Sequence, residues 1–175
     1  MTWGGASISR VTLYLMHPPL GARYRNQTVT DCEGQEMTKA EFTGTGTSDD
    51  PWVLYTPSLG SQIQMHRDED HDPPILVCTV GKTILHYDLR IVDDLDQMLK
   101  ERGDWVELGN ADEQKPANEG TVEAWARSKD NPIGGWYGLK KGLRGRVGNY
   151  VPPVLEALGL AEVEHNARGN RMRAL

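Results

Sequence analysis

The sequence predicts an α+β protein: an N-terminal antiparallel β meander with a helix, then a winged-helix-like C-terminal unit. Three observations carry that expectation. Apolar positions alternate with the period of a strand before residue 88, and they switch to helical spacing near residue 91. From Thr121 onward, short helical patterns end in a hairpin pattern.

The elements follow in order. PWVLYTP (51–57) and SQIQMHRDE (61–69) read as two strands joined by a short loop, with Ile63 and Met65 alternating inward. ILVCTV (75–80), Gly81-Lys82 and TILHYD (83–88) form a hairpin, because two β-rich runs flank a pair whose first residue is Gly, as a type II′ turn requires. A helix is expected over 91–102, where Ile91, Leu95, Met98 and Leu99 share one face. Its acids come early, Lys100 and Arg102 come late, and Gly103 ends it. GDWVELG (103–109) reads as another short strand, and NADEQKPANEG (110–120) as a polar connector.

Thr121 is placed to cap a helix running to about Ser128, which NPIGG breaks. WYGLKKGLRGR (136–146) is expected to hold a second, glycine-weakened helix carrying Trp136, Leu139 and Leu143. YVPPVLEALGL (150–160) makes a third, since prolines are tolerated in a first turn, and Gly159 caps it. AEVEH and RMRAL then flank the turn NARGN. Three short helices closed by a hairpin follow the order of a winged helix, a variant of the helix-turn-helix.

These elements divide the chain into an N-terminal arm or extension (1–43), the meander with its helix (44–114) and the winged-helix-like unit (115–175). Residues 1–36 hold few charges and the breaker HPPLG, and Met37 is a credible start of its own. Within them SRVTLYLM alternates Val11, Leu13 and Leu15, which suits a strand laid on a sheet edge or on a second subunit. A homodimer formed through the arm is the corresponding expectation.

With 175 residues the chain can bury one good core. Its aliphatic residues are few, and the 5 Trp offset that because each buries a large area. The net charge of −6 conceals an asymmetry: residues 1–114 hold 9 Lys/Arg against 19 Asp/Glu, while 115–175 hold 10 against 6. Such a split marks either an acidic face beside an anion-binding one or attraction between the two parts. Cys32 and Cys78 lack the spacing of a zinc site or redox motif, and Cys78 reads as a buried hydrophobe. No apolar run approaches a membrane span, and the six apolar residues after Arg10 are too few for a signal peptide. A cytoplasmic location is expected, with no cofactor.

The basic C-terminal face carries the leading functional expectation. Lys140, Lys141, Arg144 and Arg146 precede the third helix, and Arg168, Arg171 and Arg173 belong to the wing. This density of cations suits phosphates of nucleic acid or an acidic protein partner. The third helix itself offers Asn149, Tyr150 and Glu156, with no Arg or Lys to read guanine edges. The rival expectation is a small-molecule-binding protein or enzyme with a pocket between the two units. His86, Trp105, Trp125, Trp136 and Tyr137 would line that pocket, with Asp88 nearby; in a chain with one Phe the aromatic residues read first as core.

Two weaker patterns complete the reading. His66 and Asp68 in HRDEDHD would project from one side of a strand as metal ligands do, but no third, distant ligand set is identifiable and no metal is expected. Asp104 with Glu113-Gln-Lys115 imitates the acid pair and lysine of metal-dependent nucleases, yet that layout needs a buried strand and this segment is polar. His165 lies near the wing, facing a phosphate or solvent.

The set DPWVLYTP, VGKTILHYD, GDWVELGNADEQK, GTVEAW, NPIGGWYGLKKGLRGR, YVPP and LGLAEVEH resembles a group of uncharacterised bacterial conserved proteins over about residues 44–175. The resemblance implies a bacterial origin and a domain of unknown function, and it carries over no catalytic residue.

Overall fold

The computed structural model describes residues 43–175 and, before them, the backbone of two short paired strands, β1 (Val29–Thr30) and β2 (Glu36–Met37). The expectations for SRVTLYLM, Cys32 and a dimerising arm lie outside the described residues.

Four strands form the expected antiparallel meander: β3 (Trp52–Tyr55), β4 (Gln62–Asp68), β5 (Ile75–Val80) and β6 (Thr83–Asp88). The register sets Trp52, Met65, Cys78 and Leu85 side by side across the sheet, all buried on its inner face. The turn between β5 and β6 runs through Gly81 at φ +56°, which glycine adopts without a Cβ penalty. Residues 137–139 extend the sheet along β6: Asp88 N–H donates to Tyr137 O (2.8 Å) and Leu139 N–H to His86 O (2.9 Å).

Helix α1 (Ile91–Arg102) has the expected bounds, buries Ile91, Leu95, Met98 and Leu99, and ends at Gly103 in the left-handed region at φ +64°. There follow β7 (Val106–Glu107), α2 (Val122–Trp125), α3 (Val147–Tyr150), α4 (Pro152–Ala157), β8 (Ala161–Val163) and β9 (Arg171–Ala174). The last two strands and β7 make a second antiparallel sheet in the order β7-β9-β8. Helix α1 packs on β9 and on α4, so one core runs from Trp52 through Leu95 and Leu155 to Met172.

Three local expectations need correction. The stretch 136–146 is not a helix; its backbone bonds go to β6, to Ala126 and to a turn at Lys140–Leu143. Glycine explains why. A Cβ on Gly138 would lie 2.4 Å from the Arg144 backbone, and one on Gly145 would lie 2.6 Å from Glu113 N. These residues serve close backbone approach. The helix begun by Thr121 stops at Trp125, and the third helix splits at Val151 into α3 and α4. The α3–α4 pair is enclosed, with Tyr150 through Leu155 all buried.

Candidate functional site

Two ion pairs, Glu113–Arg144 and Asp112–Arg146, anchor the polar connector 110–120, and a third, Glu123–Arg127, lies buried beside it. Thr121 accepts the Ala124 N–H (3.1 Å), which starts α2 as its cap and turns Glu123 inward. Glu123 is fully buried. Its carboxylate accepts from Arg127 Nε (2.8 Å) and Nη2, from Arg146 N–H (2.9 Å) and from Gly148 N–H (2.9 Å). Burial pushes its pKa up, against the pull of those donors. Arg127 also donates to the carbonyls of Ala111, Asp112 and Lys115, so one guanidinium ties α2 to the connector.

Glu113 is saturated. Its oxygens accept from Gly142 N–H (2.5 Å), Arg144 N–H (3.1 Å), Arg144 Nε (3.0 Å) and Arg144 Nη2 (2.7 Å), which hold its carboxyl below the usual range. Asp112 accepts from Arg146 Nε (2.5 Å) and is likewise lowered by that contact. Arg146 itself stands at φ +64°, a left-handed conformation rare for a side chain of its size. An open cavity of about 230 Å³ lies here, between the β5–β6 hairpin and the connector. Val80, Leu85 and Leu143 give it apolar walls, and Asp112, Arg146 and Tyr150 give it polar ones.

The seven cations expected on one basic face divide into two groups. Arg144 and Arg146 pair with Glu113 and Asp112 from the acidic part of the chain. Arg171 and Arg173 pair with Glu164 and Glu162 across the β8–β9 hairpin, and both guanidiniums lie over Trp105, 5.3 and 4.6 Å from its ring centroid. Lys140, Lys141 and Arg168 sit exposed on turns and form no ion pair among the described residues.

The aromatic residues lie apart from the cavity at Arg146. Trp125 and Tyr137 stack at 5.3 Å, and buried Tyr137 donates to Asp94 Oδ2 (2.7 Å). Trp136 has the guanidiniums of Arg127 and Arg144 each 4.7 Å from its centroid. His86 is half-buried on the outer face of β6, and Asp88 accepts the Arg90 N–H (3.0 Å). None of these lines the cavity at Arg146.

The remaining patterns have local roles. Asp68 accepts the His71 N–H (3.2 Å), and His71 Nδ1 lies 2.7 Å from Pro73 O. No group of three or more His, Cys, Asp or Glu among the described residues is arranged to hold a metal ion. Asp104 accepts the Trp105 N–H (2.7 Å) and Lys115 closes a turn on Asp112, while Glu113 is committed to Arg144. His165 joins loops, with Nδ1 3.0 Å from Pro57 O and Nε2 3.0 Å from Glu156 Oε2. Burial raises the Cys78 thiol to about 12, leaving it a core side chain. No helix among the described residues is long and apolar enough to cross a membrane.

Reading from residue types missed the roles of Asp112, Glu123 and Arg127. None of them lies in a motif; the nearest signal is GLRGRVG (142–148), whose Gly145 permits the close backbone approach to the connector.

Fold and site together define an α+β domain with two antiparallel sheets on one core and a polar seam held by Glu123. Residues 44–175 match the family described as "Family of unknown function (DUF6855)", and the chain belongs to that family. Neither a curated protein nor a solved structure matches it.

Proposed function

We propose that this chain is a non-enzymatic binding module whose C-terminal part engages an acidic protein partner through Lys140, Lys141 and Arg168. The observation that carries this reading is the division of the basic residues. Three cations stand on exposed turns without a carboxylate, while four are committed to one.

A winged-helix reading of the C-terminal part would suit the interaction role. The order α1, β7, α2, α3–α4, β8, β9 with sheet order β7-β9-β8 follows that pattern, and it takes its first helix and strand from before residue 115. Major-groove reading is disfavoured because α3 and α4 are enclosed and present no cationic face. Three free cations limit the salt slope on duplex DNA to about −3, against about −6 were all seven available.

Fluorescence anisotropy of a labelled poly-glutamate peptide and of a labelled DNA duplex, each across a salt series, tests the reading. Salt-sensitive binding of the peptide, lost in the triple variant Lys140→Ala, Lys141→Ala, Arg168→Ala, is the expected result. Equal binding by that variant overturns it, and so does a duplex preference with a slope near that of seven contacts.

A further inference from the structure

The cavity beside Arg146 has a composition that selects a ligand. Arg146 and Asp112 lie side by side, joined through Nε and Oδ1 at 2.5 Å, and their side chains are 43 % and 39 % exposed. The guanidinium keeps Nη hydrogens to offer, and its bond to Asp112 favours the charged form. The second oxygen of Asp112 bonds no described residue. Glu113, on the same wall, is already filled by Arg144 and Gly142, so the site as a whole is close to neutral. Val80, Leu85 and Leu143 line the apolar side.

The backbone is built to aim this arginine. Its N–H is shared between Ala111 O (3.0 Å) and Glu123 Oε1 (2.9 Å), which fixes the left-handed conformation at φ +64°. Strain held in place by surrounding bonds is a mark of functional positions. The buried Glu123–Arg127 pair supplies the rigid support beneath it.

We propose that this cavity binds a free α-amino acid with a short apolar side chain. The α-carboxylate takes the Nη edge of Arg146 as a charge-assisted pair, and the α-ammonium takes Oδ2 of Asp112. These two charges sit one carbon apart in the ligand and side by side in the site. The side chain lies on Val80, Leu85 and Leu143. At about 230 Å³ the space falls below the roughly 300–1,000 Å³ of drug-sized pockets, as suits a molecule of this size. A simple anion would meet Asp112, and a simple cation would meet Arg146; a zwitterion matches both.

This inference does not use Lys140, Lys141 or Arg168, so it stands or falls separately from the surface proposed above. The test is titration of the full chain with L-leucine, followed by amide NMR shifts. The expected result is saturable binding with a dissociation constant on the order of 1 mM or below, with shifts centred on Thr83, Leu143 and Arg146. 4-Methylpentanoate, which lacks the ammonium, and isoamylamine, which lacks the carboxylate, bind at least tenfold more weakly, as do Asp112→Asn and Arg146→Lys. Should either variant fold poorly, Thr83→Trp, placed at an exposed hairpin position, blocks the cavity without touching the ion pair and abolishes the shifts. Absence of saturation, 4-methylpentanoate binding as well as leucine, or shifts that survive Thr83→Trp each overturn the assignment.

Discussion

Glu123 sits on a one-turn stretch, VEAW, where a glutamate ordinarily faces water and the positive end of a helix. Here Gly109 and Gly148 let two backbones close over it, and its carboxylate becomes the acceptor for Arg127 and for two N–H groups. Removing it strands a guanidinium that is only 9 % exposed. Glu123→Ala is therefore expected to cost about 3–5 kcal/mol, the range for breaking a buried pair from one side, read from urea denaturation. Leu59 makes the opposite case. It holds φ +57° in the β3–β4 loop with its side chain 42 % exposed, so it carries left-handed strain with little burial in return. Leu59→Gly is expected to stabilise by about 0.5–1 kcal/mol in the same assay. A lower denaturation midpoint would show that the leucine packs usefully. Neither residue announces its role in the sequence, whereas Thr121 does, because capping is a local property of residue type and position.

Elements whose stability is local were legible, and those made by distant contacts were not. Helix α1 carries periodicity, charge order and a terminal glycine within twelve residues, and its bounds followed from them. The 136–146 stretch has apolar spacing too, but its backbone bonds to β6, the Gly142 N–H bond to Glu113 and the close approach of Gly145 to the connector are contacts with residues tens of positions away. The same holds at α3, where a Cβ on Gly148 would meet Leu108 O at 2.1 Å. Gly148→Ala is expected to destabilise by about 3 kcal/mol or more, since backbone cannot yield as a side chain would. The connector's ion pairs set an acid sensitivity. Glu113, Asp112 and Glu164 are lowered first by their arginine hydrogen bonds, Arg144, Arg146 and Arg171 respectively. Lowered groups contribute stability that is complete above their unfolded values of 4.5 and 3.8 and is lost as pH falls through the folded values. Glu123, raised by burial, acts in the other direction: its ionisation weakens the fold as pH rises through its folded pKa. Three groups outweigh one, so the urea midpoint should fall between pH 5 and about 2, and Glu113→Gln should shrink that fall. A midpoint unchanged across that interval would mean the pairs contribute nothing net.

At the scale of the molecule, the question is whether the meander with its helix (44–114) and the C-terminal unit (115–175) fold independently. Compositional change at the connector suggested a boundary, because polar and proline-bearing stretches usually mark one. The contacts argue for interdependence. Strand β7 belongs to the earlier segment and pairs with β9, residue Val106 opposite Met172. Helix α1 lies against β9 and α4, and residues 137–139 lengthen the meander along β6. Each part, alone, would expose a sheet edge and a large share of the common core that holds Leu95, Tyr137, Leu155 and Met172. The polar seam adds to this, since Arg144 and Arg146 from one side neutralise Glu113 and Asp112 from the other. Two of the ten cations in 115–175 are thereby matched to carboxylates of the acidic part. Residues 43–175 are therefore expected to unfold in one transition whose calorimetric and van't Hoff enthalpies agree. Fragments cut between Glu113 and Lys115 should show no cooperative melt separately, and mixing them should restore one. Two resolved transitions in the intact chain, or a cooperative melt of 115–175 by itself, would establish two domains and detach the cavity at Arg146 from the support that its geometry requires.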